Sequence, residues 1–272
     1  LDYVENGFIL REERTMGASP YHHAGMVYMQ DPGAMASAAA IDIRQDWWVA
    51  DLCAAPGGKS SQIAERLGKD GFLLSNEYVP KRAKIIVGNF ERLGVRNAIV
   101  TSLDTSRLKQ MYEGVFDLVV VDAPCSGEGM FRKNADEALA EWSEENVTLC
   151  QNRQLEILEN AYSTVKNGGT LLYSTCTYSI EENEAVVDEF LKRHPDFSLK
   201  DAREEVRRAT ADGIVFDGCE RSDIKKCRRF YPHISRGEGQ FLAILERNTD
   251  NMPTILYKDS VSPPSKELLR TV

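Results

Sequence analysis

From Trp47 to Glu246, short apolar runs alternate with stretches of helical character, and this alternation restricts the chain more than any other feature. "WWVADLC", "GFLLSNE", "NAIVTSLD" and "FDLVVVDAP" read as four strands. Between the first three lie "KSSQIAERLG", closed by Gly68, and the amphipathic "PKRAKIIVGNFERLG", whose Pro80 suits a first helical turn. A helical stretch, roughly 143–165, leads through Gly168 and Gly169 to the strand "TLLYSTC". Ser179, with Glu182 three residues on, has the form of a capping box for "EENEAVVDEFLKRH". "RRFYPHI" and "GQFLAILE" are then separated only by the Gly-containing link 235–239, a hairpin spacing that makes the last strand antiparallel. The expectation is a doubly wound α/β domain with a mostly parallel, seven-stranded sheet and helices on both faces. It spans 47–247. Residues 1–46 form an N-terminal extension packed on it through a small-residue helix in "DPGAMASAAAI", and the polar residues 248–272 form a tail or a linker to a further domain.

At 42% hydrophobic and 28% charged, the 272 residues match a globular protein and not a disordered one. No apolar run approaches a membrane span and no secretory leader opens the chain, which begins at Leu1 and not Met, as a piece of a longer protein would. The six cysteines lack C-x-x-C spacing, so neither a disulfide framework nor a metal site is expected, and a cytoplasmic location is. A net charge of −9 argues by itself against a nucleic-acid partner. Local clusters can override the total: Lys81, Arg82 and Lys84, and in "RSDIKKCRRFYPH" Arg221, Lys225, Lys226, Arg228 and Arg229, which are either phosphate contacts or a solvated face.

The turn "CAAPGGKS" between the first strand and first helix allows a ligand to approach a helix N-terminus closely. It lacks the G-x-G-x-x-G of a dinucleotide site. A nucleotide-hydrolysing P-loop is the competing reading, because Gly58, Lys59 and Ser60 match its end, but Cys53 stands where its first glycine belongs. S-adenosylmethionine needs no phosphate cradle, and it asks for an acid at the end of the second strand to take ribose hydroxyls, where Glu77 stands. Asp104, ending the third strand, could accept from the adenine amine. Any one such acid is more often a helix cap; Asp51, Glu77, Asp104 and Asp122 end four successive strands.

"DLCAAPGGKS", "VVVDAPCSGEGMFRK" and "LLYSTCTYSIEENE" resemble the signature segments of the NOL1/NOP2/Sun family of RNA cytosine-5 methyltransferases, in particular its bacterial 16S ribosomal RNA (RsmF-like) branch. The likeness runs from about Tyr21 to Glu246. It implies a class I, Rossmann-like methyltransferase domain acting on RNA, either 16S rRNA in the small ribosomal subunit or tRNA, as a monomer without metal. It implies S-adenosyl-L-methionine contacts from Cys53, Ala54, Ala55, Pro56, Gly57, Gly58, Lys59, Glu77, Asp104 and Asp122. It further implies that Cys176 is the nucleophile and that Cys125 assists product release.

Chemistry argues the same way. Cytosine C5 becomes nucleophilic only after a thiolate adds to C6, and a free thiol with pKa about 8.5 is only a few per cent ionised at neutral pH. Cys176 precedes a helix N-terminus, whose dipole would lower its pKa. Asp122 could protonate or hydrogen-bond N3, Cys125 could serve the loss of the C5 proton, and Lys59 could steer cofactor or base. Cys150, Cys219 and Cys227 read as inert thiols.

Overall fold

The structure, a computed structural model, describes residues 1–10, 16–133 and 135–248. In chain order these form α1 (Pro20–His23), α2 (Pro32–Ala39), β1 (Trp48–Asp51), α3 (Gly58–Arg66), β2 (Phe72–Asn76), α4 (Pro80–Leu93), β3 (Ala98–Thr101), α5 (Thr105–Met111) and β4 (Phe116–Asp122). There follow α6 (Ala135–Glu141), α7 (Glu144–Thr164), β5 (Val165–Thr175), α8 (Glu184–Arg193), β6 (Phe197–Lys200), α9 (Glu204–Arg208), β7 (Ala211–Asp212), β8 (Arg228–Phe230) and β9 (Gln240–Arg247).

All strands join one sheet, in the order β3-β2-β1-β4-β5-β9-β8-β7, with β6 also paired to β9. β1 to β5 are parallel, and β9 runs antiparallel to β5. The chain moves outward through β2 and β3, then returns to lay β4 on the other side of β1. That reversal opens a crevice at the carboxyl ends of β1 and β4, where open α/β sheets bind ligands. β4 is apolar throughout because both its faces are covered. Val119 and Val121 join the core beneath α7 and α8, with Leu158, Val187 and Phe190, while Leu118 and Val120 join the one beneath α2, α3 and α4, with Ala39, Ile63 and Ile86. The doubly wound arrangement of the sequence reading is thus present.

Among the described residues the sheet has nine strands, not seven. The additions are β6 and β7, of four and two residues, too short to show a periodic pattern. They exist because β9 offers an edge: β6 pairs along its last half, β8 along its start, and β7 continues from β8. The β8–β9 link runs from Tyr231 to Gly239, longer than the expected hairpin loop.

The capping box is also incomplete. The Ser179 Oγ accepts from the Glu182 amide (3.2 Å), but α8 begins only at Glu184, because the Glu182 side chain turns inward instead of returning to Ser179. In the N-terminal segment, α2, capped by Asp31 on the Gly33 amide (2.8 Å), lies on α3, and the Tyr3 hydroxyl donates to the Pro32 carbonyl. The tail over 249–272 lies outside the described residues.

Candidate active site

β4 and β5 are adjacent and parallel, with Asp122 in register with Ser174, so the turns that follow them meet. Cys125 and Cys176 face each other there, Sγ to Sγ 3.2 Å, and the Cys176 amide donates to the Cys125 sulfur (3.3 Å). This contact lowers the Cys176 pKa, because the Cys125 thiol donates a hydrogen bond to the Cys176 thiolate; desolvation and the Asp122 carboxylate oppose it, and the Lys59 ammonium acts in the same direction as the hydrogen bond. Cys125 moves well up, first through the same hydrogen bond and then through burial. One thiol is prepared to ionise and the other to keep its proton. The cause differs from the expected helix dipole, since α8 starts eight residues after Cys176.

Asp122 and Lys59 lie beside the thiols. The Lys59 Nζ donates to one Asp122 oxygen (2.7 Å), and the other accepts from the Ser174 hydroxyl (2.7 Å) and the Gln240 amide (3.4 Å). The polar residue opening an otherwise apolar "GQFLAIL" was the signal for Gln240. The thiols, Asp122 and Lys59 are therefore one cluster.

Around the glycine turn, Gly57 caps α3 in the left-handed region (φ 105°), and no side chain hydrogen-bonds the first helical amides. Ala54, Ala55 and Pro56 complete the turn, with Cys53 at its start. Burial, followed by the carboxylates of Asp51 and Asp122, pushes the Cys53 thiol well up and keeps it neutral. Glu77 is almost buried; one oxygen accepts from the Val79 amide (3.0 Å) and the other pairs with Arg82 (3.4 Å). Asp104 is different. It is exposed and caps α5, its carboxylate held below the ordinary range by the Ser106 hydroxyl and amide. Asp51 sits behind the turn, buried, accepting from Ser60 (2.7 Å), and burial raises its pKa to about 7. A residue not singled out in the sequence ties these ends together: buried Asn76 donates to the carbonyls of Leu52 and Leu103 and accepts from the Leu103 amide and the Thr101 hydroxyl.

Glu182 was likewise missed as a site residue. Fully buried, it accepts from the Ser126 amide (3.0 Å) and the Gln154 amide (2.8 Å), while Gln154 also donates to the Pro124 carbonyl (3.0 Å). The Ser126 and Thr177 hydroxyls join at 2.9 Å. These bonds clamp the two cysteine turns together from below. Burial raises the Glu182 pKa.

Arg228 and Arg229 are neither exposed phosphate contacts nor part of a solvated face. Both arginines lie inside β8, 4% and 2% exposed. Arg228 pairs with Asp212 and donates to Thr210 and the Arg207 carbonyl; Arg229 pairs with Glu184. Arg221 faces Asp223 and Asp188, and Lys226 donates to the Leu199 carbonyl, which leaves Lys225 as the exposed member. Charge counted along the chain could not show partners that lie on other elements.

A family model described as 16S rRNA methyltransferase RsmB/F matches residues 38–246. The ribosomal RNA small subunit methyltransferase F of Klebsiella pneumoniae is 34% identical over 264 residues, covering 94% of this chain and 54% of its own length. The protein of the same name from Erwinia tasmaniensis is 36% identical over 255 residues, covering 91% of this chain and 51% of its own. The chain thus spans about half the length of these curated relatives. Among solved structures, a methyltransferase homolog protein from Pyrococcus horikoshii superposes with a TM-score of 0.74 at 28% identity, over 87% of this chain and 73% of that one. NSun6 from Pyrococcus horikoshii, solved with SFG, gives 0.73 at 27% identity, over 88% and 57%.

Proposed function

The chain belongs to the 16S rRNA methyltransferase RsmB/F family, and from that premise we propose that it transfers a methyl group from S-adenosylmethionine to C5 of a cytosine in RNA, through a covalent bond between Cys176 and C6. Small-subunit rRNA, named in its curated relatives, is the proposed substrate, and the cytoplasm the compartment. Residues 47–247 carry the reaction and 1–46 form its cover. The observation that carries the reading is the thiol pair at the ends of β4 and β5, 3.2 Å apart, next to the Lys59–Asp122 pair.

The residues of the crevice fit the methyl donor. The uncapped start of α3 and the buried Glu77 suit an adenosine whose ribose hydroxyls donate to a carboxylate, and Lys59, the lysine of the competing P-loop reading, is committed to Asp122. When bound, S-adenosylmethionine would supply an electrophilic methyl group for C5, the broken S–CH3 bond leaving its electron pair on a neutral thioether. The turn 53–59 and Glu77 would hold it, with Asp104 toward the adenine amine.

The remaining steps belong to the chain's own side chains. The target cytosine must be unpaired or turned out of its helix for a thiolate to reach C6. The Cys176 sulfur gives its electron pair to C6, and the C5–C6 pair becomes available at C5. The negative charge this leaves toward N3 is neutralised by a proton from the Lys59–Asp122 pair, passed to N3 by the Asp122 carboxyl and returned once C5 has taken the methyl group. After methylation, the C5 proton leaves to a base, the C5–C6 double bond re-forms, and the Cys176–C6 bond breaks with its electron pair returning to sulfur. Cys125 serves that release. Its sulfur, 3.2 Å from that of Cys176 in the resting pair, lies beside the carbon from which that proton leaves.

The two alanine variants test this. With methyl-labelled S-adenosylmethionine and small-subunit RNA, Cys125→Ala should accumulate a labelled protein–RNA conjugate that survives denaturing electrophoresis. Cys176→Ala and the double variant should form none and transfer no methyl. A conjugate with Cys176→Ala and none with Cys125→Ala would reverse the roles.

A further inference from the structure

Three aromatic rings lie in file at the rim of the site. Tyr178 stacks on Tyr231 with centroids 5.8 Å apart and planes 16° apart, and Tyr231 stacks on His233 at 5.5 Å and 25°. The file is joined to the thiol turns through backbone. The Cys176 carbonyl accepts from the Gly129 amide (2.9 Å), the Gly129 carbonyl accepts from the Gly239 amide (3.2 Å), and the Tyr178 ring lies against Gly239, where a Cβ would come within 2.6 Å of its Cε1. Gly239 precedes Gln240, which donates to Asp122.

The file is also fixed from beneath. Arg229, held by Glu184, donates to the Tyr178 carbonyl (2.9 Å) and the Tyr231 hydroxyl (3.5 Å). At the outer end His233 is exposed, and its neighbour Ile234 is 52% exposed. Beside Tyr178, the largely exposed Arg132 is paired with Glu238 (3.0 Å). Rings anchored by a buried ion pair and open at one end are a platform that another flat ring can extend.

We propose that this file is a stacking site for an unpaired nucleobase of the RNA substrate, which continues the stack on the outer face of His233 while the target cytosine reaches Cys176. The inference rests on the RNA methyltransferase reading above. A base next to a flipped cytosine loses a stacking neighbour, and aromatic faces replace it with little regard to sequence. The site therefore recognises single-stranded RNA next to the target, without specifying which base.

His233 is exposed, so its removal leaves the core intact. The probes are a short single-stranded oligoribonucleotide of mixed sequence and one of the same length with abasic residues, titrated against the chain by fluorescence anisotropy. His233→Ala and Tyr231→Leu should each weaken binding of the base-containing RNA about tenfold and leave the abasic RNA unchanged, with the same S-adenosylmethionine effect on Tm as the parent. Tyr231→Phe should bind as the parent does. His233→Trp should bind at least as tightly, with its added tryptophan fluorescence quenched by the base-containing RNA and not by the abasic one. Equal affinity of parent and His233→Ala for the base-containing RNA, equal losses for both RNAs, or no binding of either by the parent would overturn the proposal. Its failure is distinguishable from that of the reaction: labelled conjugate in Cys125→Ala reports the chemistry whatever His233 does.

Discussion

Arg229→Ala separates a structural arginine from a phosphate contact. Its side chain is 3% exposed and that of its partner Glu184 is 0% exposed. Removing the guanidinium leaves a buried carboxylate whose remaining donor is the Ile214 amide at 2.8 Å. Breaking a buried pair from one side destabilises by about 3–5 kcal/mol, and the freed Tyr178 carbonyl adds to this. Replacing both partners, Arg229→Met with Glu184→Leu, removes the stranded charge but orphans the Ile214 amide, a loss of about 1–3 kcal/mol. The double variant should therefore be more stable than Arg229→Ala. Lys225→Ala, on the exposed face, should stay within about 0.5 kcal/mol of the parent. Urea midpoints at constant m-value measure all of these. RNA affinity is followed alongside as a function of salt, where a lost phosphate contact lowers the slope by about 0.7–0.9. The expected result is a large loss of stability with an unchanged slope. A stability loss below about 1 kcal/mol, together with a lower slope, would refute the reasoning and return Arg229 to the RNA-binding surface.

Asp51, raised to about 7 by burial, holds its proton in the folded state where the unfolded chain has lost it, so its contribution to stability is present below the unfolded value of 3.8 and is lost as pH rises to about 7. Urea midpoints of the parent and Asp51→Asn at pH 5 and pH 8 should therefore diverge, the parent losing more on going up; parallel curves would contradict this. S-adenosylmethionine should raise Tm by mass action and ATP with magnesium should not, with the shift reduced in Glu77→Ala; a shift with ATP alone would favour the P-loop reading. Glu182→Ala, by loosening the Ser126 amide and with it the Cys125 turn, should slow release more than addition and so accumulate the labelled conjugate, and Glu182→Gln should restore most of the turnover; conjugate at parental levels in Glu182→Ala would show that the clamp does not position Cys125.

What could be read in the sequence follows from how far each signal reaches along the chain. The strands β1, β2, β4 and β5 announce themselves because each carries a buried apolar run with a charged or small-residue stop, the half-exposed edge strand β3 by its apolar residues alone, and β9 because its eight residues are nearly all buried. The acids and thiols at those stops are local signals too, and parallel pairing of consecutive β4 and β5 brings Cys125 and Cys176 together. What local pattern cannot carry is the partner. Asp104 and Glu77 look alike as strand-end acids, yet one caps the helix beginning next to it and the other is closed in by Val79 and Arg82. Arg229 looks like a surface charge in a basic run until Glu184, 45 residues earlier, is folded against it. Glu182 looks like a helix cap until Ser126 and Gln154, at separations of 56 and 28 residues, draw it inward. The cause of the Cys176 shift obeys the same logic. A helix start a few residues downstream is visible in sequence, but a thiol 51 residues upstream is nearer and donates directly, and in a poorly solvated site the direct hydrogen bond outweighs the distant dipole.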